Sequence, residues 1–462
     1  MKNVFTPARV LIAGLALVAT PMLASQAVGA VWIVTRFTDG FDGTCDADCS
    51  LREAVQSANE TAGPSRILLR AGTYQLTLRP KLDDNGLIIE EGENANGSLD
   101  IRGQLIFVGR GIDLTTINAN RIDRVVAVHA GADVRMTGLG LRNGRHTDHG
   151  GGIEIEDGGT LLLQRCAIND NIAGGAYEAG GFAGGIANYG TLTIEASRVE
   201  NNYSAHGDRG GSTSLGGGIF NAGTLTVRET RFVGNRANDR DDGGFGGAIY
   251  NEGLARILRS SFETSRVDIN GKGAAILNRG GATLRMENST VTSSDHEDTQ
   301  PLGAVENGLS SDSQPAVMQL VNVTIAGNAT HGLVNLGKLE IRNTIIAGNG
   351  PTLDDHVEEN CLNVGPNASF SQIGLLRGTD VFTNCEADVI VSNEDVFNRV
   401  LYPLALNYWT LPTFALRMGS PAIDAAVGSC PRTDQRRVKR PRDGDGDGVA
   451  ICDLGAYERT RP

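Results

Sequence analysis

Apolar and polar residues alternate in short runs through the middle of the chain. Leu192 and Ile194 are interleaved with Thr191 and Thr193, and Leu225 and Val227 with Thr224 and Thr226. A period of two is that of a strand with one buried face. The runs are broken by Gly and Asn, and no apolar pattern of helical length fits between them. They also recur. A Gly-Gly-x-Ile motif or a close variant appears seven times between 150 and 349, anchored by Ile153, Ile186, Ile219, Ile249, Ile276, Val305 and Val334, at spacings of 27 to 33 residues. Self-similarity on that scale predicts a solenoid. Each period has room for about three short strands, so the expected fold is all-β, a parallel β-helix. With coils stacked at ~4.8 Å, roughly a dozen would make a rod on the order of 60 Å long.

Asn recurs at two phases of the period: Asn188, Asn221, Asn251, Asn278, Asn307 and Asn335 at one, and Asn171, Asn202, Asn235, Asn328 and Asn349 at the other. These amides could bind a ligand. The preferred reading is structural: Asn tolerates the left-handed backbone of a tight corner, and stacked amides form ladders. Gly is 61 of 462 residues and aromatics are 5%, which suits a narrow interior better than a wide globular core.

The ends differ from the middle. Residues 1–30 have the form of a secretory signal, with Lys2 and Arg9 before an apolar stretch from Val10 to Ala24. Cleavage is expected after Ala30, because Val31 to Val34 reads as a first strand. Removing Lys2 and Arg9 moves the formal net charge from −13 to −15. An acidic chain repels phosphate backbones, which argues against nucleic acid and anionic membrane surfaces as partners. No second segment is long and apolar enough to span a membrane. The chain is therefore expected to be exported, to the medium, the cell surface or the periplasm. Seven cysteines in an exported chain suggest disulfides. Cys45–Cys49, Cys361–Cys385 and Cys430–Cys452 are the natural local pairs, although six cysteines allow 15 arrangements. Cys166, on a repeat strand, is expected to be a buried free thiol.

Ser50 followed by Glu53 forms a capping box before an apolar run, predicting a short helix from Leu51 to about Asn59 that covers the open end of the coil. The Cys49-Ser-Leu-Arg-Glu-Ala54 run closely resembles the signature of CSLREA-domain bacterial surface proteins. The segments Ile67–Leu69, Ala71–Tyr74 and Ile106–Gly111 fit the same resemblance. The segments Gly419–Asp424, Asp434–Arg436 and Cys452–Glu458 are similar to the choice-of-anchor Q domain, and the Gly-Gly-x-Ile copies to the repeats of polymorphic outer-membrane proteins. The resemblance covers nearly all of the chain after the signal. It implies a right-handed, pectate-lyase-like β-helix in the envelope or medium. Such proteins usually carry a further sorting tail; this chain stops at Pro462, so covalent or barrel anchoring is not expected. The organisation that follows is a signal over 1–30, a cap over 31–64, the β-helix over 65–360, and last coils with a C-terminal cap over 361–462.

Candidate chemistry lies in the variable polar segments before each Gly-Gly-x-Ile strand. They hold five of the seven histidines, among them His146, His149, His206, His296 and His331. Loops at one phase of a solenoid stack on one side, so these segments predict a ridge of Asp, His and Arg from His146 to His331. Asp239, Asp241 and Asp242 with Arg209 or Arg240 are the catalytic candidates. Acidic groups would hold Ca²⁺ against a uronate carboxylate and Arg would take its α-proton. The pair His146-x-x-His149 would chelate a transition metal only on a helix, and it sits in a Gly-flanked loop. Asp443, Asp445 and Asp447, closed by Gly448, match the start of a calcium loop, with Asp453 one place short of the twelfth position. Calcium is the one cofactor these residues suggest. The leading expectation is a non-catalytic adhesin that binds polysaccharide or a cell-surface glycan along the loop edge. The alternatives are a polysaccharide lyase or glycoside hydrolase, and a scaffold without ligand.

Overall fold

The structure is a computed structural model that describes residues 29–174, 181–205, 213–238, 243–268, 270–296, 302–350, 359–407 and 411–460. The chain winds into a parallel β-helix. One coil runs Ile186–Asn188, Thr191–Glu195, Arg198–Glu200 and Tyr203–Ala205. Each strand stacks in parallel on its counterpart in the next coil: Ile186 on Ile219, Leu192 on Leu225, Val199 on Phe232 and Tyr203 on Arg236. The seven Gly-Gly-x-Ile strands lie in a 10-stranded sheet and the fourth strands in a 6-stranded one, while the two middle strands share a 22-stranded sheet. A coil thus has four strands where the repeat suggested about three. A single left-handed residue divides the Thr-Leu-Thr-Ile run from the strand after it. Ala196, Glu229, Arg259 and Asn288 occupy this corner at φ of 47°, 50°, 47° and 48°. One such residue bends the chain without a loop, at a cost of about 1–2 kcal/mol for a side chain with a Cβ.

The interior is filled by like residues from successive coils. Ile153, Ile186, Ile219, Ile249, Ile276 and Val305 are fully buried in a row that continues at Leu333, not Val334. The last anchor thus shifts by one residue, and Val334 pairs with outward-facing Glu306. Phe232 and Phe262 stack at 4.6 Å between ring centres. Asn188, Asn221, Asn251, Asn278, Asn307, Asn335 and Asn363 form a ladder in which each Nδ2 donates to the next Oδ1 at 2.6–2.8 Å. It begins at Asn188 because Ile155 holds the equivalent place one coil earlier. A second ladder joins Asn171, Asn202 and Asn235, and a third Asn328, Asn349 and Asn360. These amides are spent on the fold.

The first helix spans Leu51–Asn59 with its capping box formed: Glu53 N–H donates to Ser50 Oγ, and Ser50 N–H to Glu53 Oε2. Fully buried Arg52 binds Asp39 and the carbonyls of Asn94, Asn96, Gly97 and Ser98. At the other end, Arg436 pairs with Asp434 at 2.7 Å. Arg440 donates to the carbonyls of Asp453 and Gly455, and Glu458 accepts from the N–H of Asp453 and Arg442. The conspicuous end motifs therefore build caps. A short helical segment, Asn393–Asp395 continuing as a π-turn over Val396–Val400, has no counterpart in the sequence reading. Disulfides join Cys45 to Cys49, Cys361 to Cys385 and Cys430 to Cys452, and Cys166 is free and buried. Among the described residues no helix is long and apolar enough to cross a membrane.

Candidate functional site

The catalytic candidates Arg209, Asp239, Arg240, Asp241 and Asp242 lie outside the described residues, as does His206. The ridge reading changes at both of its ends. His146 and His331 lie in strands, 5% and 7% exposed, and are not loop residues open to solvent. What the structure brings together is the N-terminal end of this edge.

There, a cavity of about 360 Å³ is lined by Glu90, Arg124, His129, His146, Asp148, His149, Glu154 and Glu156, with Leu87 and Ile88 as apolar wall. Its floor comes from regular coil positions. Ala127 and Glu154 are register partners in strands Val126–Val128 and Ile153–Ile155, with side chains on the outer face. His129 follows the first of these strands, one turn from Glu156 on the next coil. An antiparallel hairpin, Lys81–Leu82 with Ile88–Ile89, comes from outside the repeat and carries Glu90 in.

Arg124 is the hub. Its side chain is 3% exposed, and its Nη1 lies 2.6 Å from Glu90 and 3.0 Å from Glu154. Its Nη2 donates to the His149 carbonyl. Burial works to raise the Glu90 carboxyl, but the hydrogen bond to His146 and the charge of Arg124 outweigh it and hold the group at about 2. His129 is clamped between Asp100 at 3.0 Å and Glu156 at 2.8 Å. The Asp100 hydrogen bond is the main reason that its pKa is raised. Asp123, behind Arg124, is pushed up to about 7 by burial, while accepting the N–H of Ser98 and Arg124.

Glu90, Asp123 and His146 bring one ligand atom each within 4.8 Å of one another. The hydrogen bonds of His146 argue against a metal there. Its Nδ1 accepts the backbone N–H of Asp148 and of His149, both at 3.2 Å. The ring proton is then on Nε2, 2.8 Å from Glu90. Protonating Nδ1 would set it against two donors. Burial and the Arg124 charge act in the same direction, and the pKa falls to about 4. His146 is thus a neutral donor with no lone pair toward the group, and Arg124 supplies the positive charge a cation would bring.

His149 links this polar cavity to an aromatic row. Its ring stacks on Phe182, which stacks on Phe220, which stacks on Tyr250, at 6.1, 5.5 and 5.6 Å. The row runs along the outer face of the Gly-Gly-x-Ile sheet. Sequence reasoning missed Glu90, Arg124, His129 and Glu154. One signal was available: Glu154 stands where the next four copies carry Ala187, Phe220, Tyr250 and Leu277, a carboxylate at a position that turns charged again only at Glu306.

At the C-terminal cap, Asp443 and Asp445 meet Asp424, with one carboxylate oxygen of each within 4.8 Å of the others. Asp424 also accepts the N–H of Gly444 and Asp445. Asp447 and Asp453 lie outside this group. Asp447 accepts the N–H of Val449, and Asp453, 1% exposed, accepts those of Asp424 and Arg459. Three hard oxygen donors around one point suit Ca²⁺, with water completing its shell.

No family model matches the chain, and no curated protein matches it. Among solved structures it is similar to pectate lyase Pel9A, at 15% identity and a TM-score of 0.47, over 93% of this chain and 96% of that one. It is similar to the A-module of Azotobacter vinelandii mannuronan C-5 epimerase AlgE4 at 14% identity and a TM-score of 0.43, over 76% and 93% of the two chains. A rhamnogalacturonan lyase follows at 14% identity and a TM-score of 0.38, over 79% and 84%.

Proposed function

We propose that the chain is an exported β-helix protein that binds a hydroxyl-rich glycan in the cavity around Arg124 without turning it over. The observation that supports this is the arrangement of fixed donors and acceptors on one wall. Arg124 and His129 are each held by two carboxylates, Glu154 and Glu156 present oxygens, and the His149 ring offers a flat face. Sugar hydroxyls both donate and accept, so such a wall meets them without leaving a buried group unpaired. The same residues disfavour turnover. Glu90 at about 2 cannot serve as an acid near neutral pH, and His146 is locked as a neutral donor. Asp123, the one raised carboxyl here, is not part of the cavity wall. Export is supported by the three disulfides.

A glycan array followed by calorimetry tests the reading. Wild-type protein is expected to bind at least one neutral or mixed glycan. The His149→Ala variant is expected to weaken that binding at least about tenfold, the change that 1.4 kcal/mol produces. Absorbance from an unsaturated product would replace binding with lyase chemistry, and absence of binding across the array would leave the scaffold reading.

The calcium reading is carried forward with a changed ligand set: Asp424, Asp443 and Asp445. Wild type is expected to bind Ca²⁺ with a rise in Tm, and Asp445→Ala to lose both. Equal binding by the variant removes the proposal.

A further inference from the structure

We propose a second binding site, for an extended carboxylated polysaccharide, in a groove of about 780 Å³ on a different corner of the coil. This corner is the one turned by single left-handed residues. Over its C-terminal half it is already occupied. Asn288 Nδ2 donates to the Thr433 carbonyl, Asn322 Nδ2 to that of Asp453, and Asn343 accepts the Val427 N–H. Arg437 pairs with Glu229 at 2.6 Å. The C-terminal cap thus lies along the corner as a strap as far as Glu229. Beyond that point the row continues through Ala196, Arg165 and Gly138, at φ of 47°, 51° and 67°, beneath the groove. Leu406 and Leu411 close one side.

The other side is cationic, against the −13 formal charge of the chain. Arg110, Arg165, Arg198 and Arg231 line it. They come from four of the five consecutive coils whose strands are Gln104–Val108, Asp133–Thr137, Thr160–Gln164, Thr191–Glu195 and Thr224–Arg228. Arg198 and Arg231 are direct register partners, so they are separated by one coil step of ~4.8 Å. Arg198 is paired with Asp113 and Arg231 with Glu263. Arg110 and Arg165 are exposed and have no ion-pair partner among the described residues. Arg110 and Arg165 lie two coils apart, ~9.6 Å along the axis, so these two unpaired guanidinium groups favour an extended ligand whose carboxylates recur on one side at about that interval, as those of alternate rings do in a twofold polysaccharide. An extended acidic peptide fits less well, because its same-face charges recur every ~6.6 Å, out of step with that ~9.6 Å interval. Guanidinium forks also suit carboxylates geometrically.

The experiment uses the full chain with a chelator present, so that the carboxyl-terminal aspartates play no part. The probe is a β-1,4-linked hexaglucuronate, with cellohexaose as its neutral twin. Wild type is expected to bind the uronate, more weakly as NaCl is raised, and to leave cellohexaose unbound at this groove. The Arg110→Ser/Arg165→Ser double variant, altered only at exposed side chains that touch no cavity residue, is expected to bind at least about tenfold more weakly, with a flatter salt dependence. Equal affinity in the variant, equal affinity for cellohexaose blocked by the uronate, or no uronate binding by wild type overturns the proposal. So does binding of an oligosulfate in place of the uronate. Because the cavity is not altered, failure here leaves the glycan reading of the cavity standing, and failure there leaves this one.

Discussion

Replacing Arg52 with alanine is expected to lower stability by about 3–5 kcal/mol, the range for removing one partner of a buried ion pair. The side chain is fully buried. Asp39, its carboxylate partner, is 1% exposed and also accepts the N–H of Thr77 and Leu78. Without the guanidinium, that carboxylate stays buried with only those two donors and the Gly40 N–H. The carbonyls of Asn96, Gly97 and Ser98, which receive Arg52 at 3.0, 2.8 and 2.8 Å, lose their partner together. The Arg52→Lys variant keeps the charge but not the planar fork, and is expected to recover little. The damage should also travel. Ser98 N–H donates to Asp123, and Asn94 exchanges hydrogen bonds with Asp100, the residue that clamps His129. The lesion in the cap therefore reaches the cavity wall through one segment. Urea unfolding of the three proteins measures it; a loss under about 1 kcal/mol, as for an exposed pair, would mean that the cap is held by its apolar face alone.

The features that were readable in advance are those in which cause and effect lie close in sequence. Ser50 and Glu53 are three residues apart, and the helix they start runs from Leu51 to Asn59 as expected. The Gly-Gly-x-Ile and Asn phases repeat each coil, so the stacking, the ladders and the buried rows were visible as periodicity. Where the repeat degenerates, register slipped: the copy His331-Gly-Leu-Val334 offers two apolar residues for one inward place, and Leu333 takes it. The four-strand coil was missed because its corner tolerates residues as different as Ala196, Glu229 and Arg259, leaving no residue-type signal. The cavity was illegible for another reason. Glu90 arrives on a hairpin outside the repeat and meets Arg124 and His146 only through winding. Asp424 likewise joins Asp443 and Asp445 from a separate turn of the cap. The motifs of the two ends stood out, but their outward distinctiveness did not reveal that Arg52, Arg436 and Arg440 point inward.

A second large effect is expected in the middle of the longest amide ladder. Asn251 donates to Asn278 at 2.7 Å and receives Asn221 at 2.7 Å, with all three side chains fully buried. Asn251→Ala removes a donor and an acceptor at once. Each stranded neighbour costs about 1–3 kcal/mol, and two neighbours give a loss of about 2–6 kcal/mol by the same measure. The Nδ2 of Asn221 keeps only long contacts to the Gly223 and Leu254 carbonyls, both at 3.3 Å, while its Oδ1 still accepts from Asn188. Removing Asn363, at the end of the ladder, strands one neighbour and should cost about half as much. Nearest-neighbour coupling in a solenoid sharpens the contrast, since an interior break weakens two interfaces and an end break one. The Asn251→Asp variant separates the hydrogen bonds from mere packing. Its carboxylate can accept from Asn221 but cannot donate to Asn278, and burial disfavours its charge. Protonated, it donates again. Its folded-state pKa is therefore raised above the unfolded one. The stability it regains is present at low pH and is lost as pH rises from the ordinary aspartate range through the raised value. Tm measured from pH 4 to 8 should fall with pH in Asn251→Asp relative to wild type and stay parallel to wild type in Asn251→Ala. Parallel curves for both variants would mean that the amides fill space along the coil without stabilising it by hydrogen bonding.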